Sequence, residues 1–276
     1  MRAATVAAVA AKETRDAFRN KWFLLYAAVF VVLALGLSWL GLAGSGVGGM
    51  AGFGRTSAAL IDLVLLIVPL MGLTVGALSI AGERERGTMA TLLSQPLTRL
   101  ELLVGKWCGL TIALAIAVLV GFGLPGVILA IAGSDEGAGS YLGLAALSLL
   151  VGLATLALGM LVSCAVRNTS VAIGLAIGLW LLLVFVGDLG LLGAGLAMQL
   201  DTGELLTVAL INPLTDFRIA ALTVAGASTD TLGPGGLLLS SLFGRWTLAL
   251  LAAVLVAWAV LPVAAAYQVL RKKDVA

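Results

Sequence analysis

The sequence predicts an all-α membrane protein with six transmembrane helices and both termini in the cytoplasm. Three observations carry that prediction. The chain is 61% hydrophobic and only 11% charged, with a mean hydropathy of +1.15, whereas a soluble domain carries about 25% charged residues. Six apolar runs, at about 22–43, 59–81, 102–131, 141–166, 170–198 and 246–270, each approach or exceed bilayer-spanning length. Basic residues then set the orientation. Arg2, Lys12, Arg15, Arg19, Lys21, Arg84, Arg86, Arg99, Lys106, Arg167, Arg271, Lys272 and Lys273, 13 of the 16 Lys and Arg, fall inside when the N-terminus is inside. Only Arg55, Arg218 and Arg245 fall outside, and five or seven spans would put one basic terminus on the wrong side.

Composition also excludes chemistry. There is no histidine, which removes the usual general base, the commonest metal ligand and the natural pH switch. Two cysteines, Cys108 and Cys164, suggest no disulfide framework. An intramembrane enzyme would cluster polar groups at one depth within the spans, and the apolar runs hold no such cluster. The N-terminus does not read as a cleavable signal, because a mixed stretch of twenty residues precedes an apolar run longer than a signal core.

In chain order, residues 1–20 read as a helix on the membrane surface. Ala7, Ala10, Ala11, Thr14 and Phe18 share one face, and Lys12, Arg15, Asp16 and Arg19 the other. Two readings fit: a solvated juxtamembrane segment, or an elbow helix beside the first span. The first outer loop, 44–58, is glycine-rich, and the second, 132–140, carries Asp135 and Glu136. The third outer loop, 199–245, is long. Its apolar run Leu205 to Ile211 stops at the turn signal Asn212-Pro213. Thr215 or Asp216 is expected to cap a short helix through Val224. A flexible stretch, Gly226 to Gly236, and a second apolar run, Leu237 to Phe243, follow. The apolar pieces of this loop either lie at the interface or dock a partner.

The segment between the second and third spans is the long polar insertion on the inner side. Glu83, Arg84, Glu85 and Arg86 close the second span, and Gly87 breaks the helix. Thr88 suits the N-cap of a short helix, Met89 to Ser94, with Met89, Leu92 and Leu93 as an apolar edge. Pro96 stops that helix, and Thr98-Arg99-Leu100-Glu101 is a capping box that starts the third span. A passive scaffold would need no such capped transverse helix. Apolar side chains facing the cytosol call for a protein groove, unless the segment is an interfacial turn with its leucines in lipid.

The residues Glu83, Glu85, Gly87, Thr88, Leu92, Leu93, Pro96, Arg99 and Lys106, placed between a second and a third span, resemble the coupling segment of type-2 ABC transporter permeases. The six-span layout and the leading amphipathic helix are similar as well, so the likeness covers nearly the whole chain. The resemblance implies a single permease domain over 1–276, with an elbow helix at 1–20, a coupling segment at 82–101 and a long outer loop at 199–245. It implies a second copy of the chain and a separate cytoplasmic ATPase dimer that docks on Glu83, Glu85, Gly87, Thr88, Met89, Leu92, Leu93, Pro96 and Arg99. ATP and Mg would then belong to that partner, with no cofactor, metal or nucleic acid held here and no enzymatic activity of its own. The sequence agrees: Gly105-Lys106 is followed by Trp107 and lacks the leading glycine of a phosphate-binding loop. The implied location is the inner (cytoplasmic) membrane.

Arg19-Asn20-Lys21-Trp22, Trp180 with Asp188, and Asn212-Pro213 followed by Asp216-Phe217-Arg218 carry a narrower resemblance. They resemble the membrane subunits of the system that serves copper-site maturation of nitrous oxide reductase. That likeness implies an outer repeat-rich partner, with Asp216, Phe217 and Arg218 as candidate contacts. The cargo stays open between copper, a sulfur species and mechanical work alone. An export permease for a small amphiphile or drug is the alternative.

Four further features are weighed on the residues alone. Asp62 and Asp188 are acids near the outer ends of their spans, placed either at the interface or along an outer vestibule. Cys108 and Cys164 read as small apolar residues rather than as a soft-metal pair. Gly72-x-x-x-Gly76, Gly105-x-x-x-Gly109 and Gly174-x-x-x-Gly178 permit close helix approach, within the chain or between copies. Pro69, Pro125 and Pro262 are expected to kink their spans, and Pro125, between Gly123 and Gly126, to break its helix.

Overall fold

The computed structural model describes residues 2–44, 49–89, 97–131, 138–196, 210–226, 239 and 241–272, with side chains placed at all of these except 41–44, 49–57, 128–131, 138 and 188–196. The described residues form helices without strands. They are α1 (Ala3–Arg19), α2 (Lys21–Gly44), α3 (Gly49–Glu85), α4 (Arg99–Ile131), α5 (Ala138–Ala165), α6 (Thr169–Leu196), α7 (Pro213–Val224) and α8 (Thr247–Lys272). Six are long and apolar enough to cross a membrane: α2, α3, α4, α5, α6 and α8. The protein is therefore a multi-pass membrane protein whose described residues are built of helices.

Two expectations about helix ends are corrected. α3 already begins at Gly49, so much of the predicted glycine-rich outer loop is helical. Pro125 does not break α4, which runs through it to Ile131, and Pro69 and Pro262 also lie inside continuous helices. In hydrocarbon a broken ladder leaves backbone groups with no partner, which favours continuity. Near Pro125 the Tyr141 hydroxyl donates to the Phe122 carbonyl at 2.7 Å, supplying a bond in the disturbed turn.

α3 and α5 form the centre, and α4 and α8 flank them. Gly72 and Gly76 sit where a Cβ would strike the α5 backbone at Gly152, Leu156 and Gly159. Removing side chains from one face lets two backbones approach, and dispersion then replaces the hydrophobic drive that lipid cannot supply. α6 is the least buried span, and Gly174 and Gly178 on it face open space.

α7 enters the bundle from the end opposite Arg99 and the last turn of α8. Asn212 caps it, accepting from the Leu214 amide at 3.0 Å, and Pro213 occupies the first turn. The expected cap at Thr215 or Asp216 is thus corrected. Asn-Pro is both a turn signal and an ideal helix start, because proline lacks the N–H that a first turn leaves unpaired. The Asn212 amide donates to the Leu183 carbonyl at 2.7 Å, fourteen residues into α6, or about 21 Å from its start at helical rise. The far end of α7 meets Gly143 through Val224. α7 is therefore packed into the bundle, with its start beside the middle of α6 and its end beside the first turns of α5.

Candidate functional site

At the basic end of the bundle, α3 stops because Gly87 adopts φ +70°, the left-handed region that costs glycine least. The Gly87 amide donates to the Arg84 carbonyl at 3.0 Å. The Thr88 hydroxyl turns back and donates to the Glu83 carbonyl at 3.2 Å. Residues 90–96 lie outside the described residues, so Leu92 and Leu93 and the stop at Pro96 do too. The chain re-enters at Thr98 with the predicted capping box: the Thr98 amide donates to Glu101 Oε2 at 2.9 Å, and the Glu101 amide to Thr98 Oγ1 at 3.2 Å. Glu101 Oε1 also accepts the Arg2 amide at 2.6 Å, tying the start of α1 to the start of α4.

Behind these turns lies a buried charge cluster. Lys106, 1% exposed, sets its ammonium 2.8 Å from Glu13 Oε1 on α1 and 2.8 Å from Glu83 Oε1 on α3. Its third donor reaches the Ser79 carbonyl at 3.1 Å. Lys12 stands at the solvent edge, 3.0 Å from Glu13, 3.2 Å from Asp16 and 3.3 Å from Glu83. Burial works against the Lys12 charge, but the carboxylates of Glu13, Glu83 and Asp16 outweigh it and hold the ammonium above its usual range.

Next to the cluster, each flank of the 83–101 segment reaches the ends of other helices. Arg84 Nη1 donates to the carbonyls of Cys164 and Val166, at 2.9 and 3.2 Å, where α5 ends. Glu85 accepts from the backbone N–H of Thr169 at 2.7 Å and from its hydroxyl, where α6 begins. Arg99 Nη1 donates to the carbonyls of Leu270 and Arg271, at 2.7 and 3.1 Å, at the last turn of α8. Cations meet helix C-termini and an anion meets an N-terminus, the favourable sense of the helix dipole.

The predicted site residues divide. Glu85, Gly87, Thr88 and Arg99 lie together at this end, with Glu85, Gly87 and Thr88 exposed. Met89 is corrected: it is 3% exposed and packs with Leu102, Leu103, Met160 and Cys164, so it anchors the segment instead of lining a free apolar edge. Glu83 is buried in the cluster just described. The predicted faces of α1 are also rotated. Ala10, Glu13 and Ala17 are buried, while Ala7 and Ala11 are exposed. Glu13 on this buried face is not legible from the sequence, because a charge in an apolar stripe makes sense only with Lys106 opposite it. Gly105 and Gly109 were a partial signal, since Val9 and Ala10 of α1 seat on them.

At the opposite end, Asp62 and Arg218 form a 3.4 Å ion pair, with Asp62 68% and Arg218 33% exposed, a geometry worth little in stability. The pair borders a notch of about 150 Å³ lined by Leu66, Leu183, Gly187 and Thr215. Asp62 thus borders a notch at this end of the bundle, whereas the Asp188 side chain lies outside the described residues. Asp216 and Phe217 are fully buried, which corrects their expected role as outer contacts. The apolar residues of α7 turn inward and carry Asp216 with them. Neither Asp216 oxygen has a partner among the described residues, and burial pushes its carboxyl from 3.8 up to about 8.

The polar insertion of this six-span bundle is thus bonded through its flanks to the ends of three other helices. The chain belongs to the ABC-2 transporter family: the family described as "ABC-2 family transporter protein" matches residues 7–275. It is similar to "Probable ABC transporter permease protein NosY" of Stutzerimonas stutzeri, 37% identical over 237 residues, 82% of this chain and 84% of the relative. The protein of the same description from Pseudomonas aeruginosa PAO1 is 36% identical over 221 residues, 78% of this chain and 80% of the relative. The chain is thus the transmembrane permease subunit of an ABC transporter and not itself an enzyme; the ATPase is a separate subunit.

Proposed function

We propose that this permease transmits the motion of a cytoplasmic ATPase dimer across the inner membrane, as a NosY-like subunit that supports copper-site assembly of nitrous oxide reductase. Both termini and the 83–101 segment face the cytoplasm in this reading. ATP and Mg sit in the ATPase, a NosF-like subunit that docks on Glu85, Leu92, Leu93 and their neighbours. Two copies of the chain pair, and the exposed face of α6 with its open Gly174 and Gly178 suits that contact. A NosD-like repeat protein meets the outer end. With Asp216 and Phe217 buried, Arg218 and the 199–245 loop are the parts left to contact it.

The observation that carries this reading is the attachment of both flanks of 83–101 to the ends of α5, α6 and α8. A push on the segment is a push on those helix ends together. The test is gentle extraction from native membranes followed by identification of what co-purifies. An ATPase subunit should come down with the unaltered chain and be lost on combined replacement of Glu85, Leu92 and Leu93 by alanine. An ATPase that stays bound to that variant would place docking elsewhere.

A second reading, export of a small amphiphile, is favoured by one feature. A cleft of about 690 Å³ opens between α1 and α3, with Val75, Leu78 and Leu110 as apolar wall and Lys12, Asp16 and Arg86 as charged lining. An outer repeat protein in the purified complex favours the maturation role. An ATPase alone favours export.

A further inference from the structure

We propose that Glu13, Lys106 and Glu83 form a transmission joint, through which α1 moves as one body with the root of the 83–101 segment. The proposal rests on that segment being the ATPase-docking element. Lys106 is its positioning residue, acting through α1 and α3 and not on any cargo.

Stability alone does not account for this cluster. Apolar residues of similar volume commonly serve as well as a buried ion pair or better, because desolvation offsets the attraction. α1 already has an apolar means of docking, with Val9 and Ala10 seated over Gly105 and Gly109. The charges add direction. An ammonium has three donors, and those of Lys106 go to Glu13 on α1, Glu83 on α3 and the Ser79 carbonyl one turn earlier on α3. One side chain of α4 therefore grips α1 once and α3 twice. From the other side, Ser163 of α5 accepts the amides of Ile80 and Ala81 at 2.9 and 2.8 Å. The last two turns of α3, those leading into Gly87, are held by polar bonds on both sides, and α1 is fastened to that stretch. Lys12 repeats the bridge at the solvent edge between Glu13 and Glu83.

The experiment uses the permease purified with its ATPase subunit, in a Cys108→Ala background. Spin labels at Ala11→Cys on α1, Arg86→Cys on the α3 root and Leu248→Cys at the far end report pairwise distances with and without trapped nucleotide. In the otherwise unaltered chain the 11–86 distance is expected to be narrow and unchanged by nucleotide, while 11–248 and 86–248 shift together. In the apolar triple variant Glu13→Leu/Glu83→Leu/Lys106→Met, the 11–86 distribution should broaden at least twofold and respond to nucleotide, with the ATPase still bound. A triple variant that keeps one narrow 11–86 distance would overturn the proposal. Should that variant fail to assemble, Lys12→Ala/Glu13→Leu decides instead: it keeps the Lys106–Glu83 pair but removes both side chains of α1 that reach Lys106 and Glu83, so an unbroadened 11–86 distance in it also overturns the joint. If no ATPase accompanies the unaltered chain, the docking reading fails on its own. The nucleotide-free comparison of the variants still decides the joint.

Discussion

Asp216 and Lys106 are both buried charges in a protein set in lipid, and they are handled in opposite ways. Asp216 has no partner among the described residues, and burial alone raises its carboxyl from 3.8 to about 8. The unfolded chain loses that proton near pH 4; the folded chain keeps it until about pH 8. The folded state therefore binds the extra proton in between, and its stability is complete below the lower value and falls as pH rises through the upper one. The slope should reach about 1.4 kcal/mol per pH unit. Melting of the detergent-solubilised protein between pH 5 and 9 should show this decline, and Asp216→Asn should flatten it. An equally steep decline in that variant would assign it to another group. Lys106 is fully paired, and removing it alone leaves the buried carboxylates of Glu13 and Glu83 with only Lys12, at the solvent edge, as a cation. Lys106→Met should cost about 3–5 kcal/mol, read as a lowered melting temperature. The apolar triple variant should recover most of that loss, because no charge is then left stranded.

Elements show what was legible in the sequence and what was not. The spans were legible because bilayer length and apolar composition are local properties. The Thr98–Glu101 capping box and the glycine stop at Gly87 were legible for the same reason, each needing only a few neighbouring residues. What escaped depends on distant partners. The buried face of α1 is hidden in the sequence because Glu13 counts as polar until Lys106, 93 residues away, meets it. The seat of α7 inside the bundle is not legible either: a twelve-residue helix reads equally as interfacial or as partner-docking until Asn212 is seen against the Leu183 carbonyl. The seating of α1 has a direct test. A side chain at Gly109 would strike the Ala10 carbonyl and Glu13, so Gly109→Val should lift α1 away. Limited proteolysis would then cut at the exposed Arg15 and Arg19 several-fold faster than in the unaltered protein. Unchanged cleavage would mean that α1 stays seated.

For the whole molecule, the span most open to its surroundings is α6, with Val171, Leu175, Leu182 and Phe185 all outward. If two copies meet there, Leu182→Cys should form an intermolecular disulfide in native membranes under mild oxidation, seen as a doublet on a non-reducing gel. Failure to cross-link at Leu182 and at Leu175 would move the contact to another span. The attachment of Arg84, Glu85 and Arg99 to three helix ends bears on genetics as well. A fault in any of them loosens helices far from the segment, so a mutant screen scored only by output would file these residues under folding. If the proposed docking holds, the partner's docking surface and the permease's structural integrity share Glu85 and Arg99. Variation there has to be concerted, and a swapped-in ATPase from another system would meet a permease whose handle cannot be re-cut without unpicking the bundle.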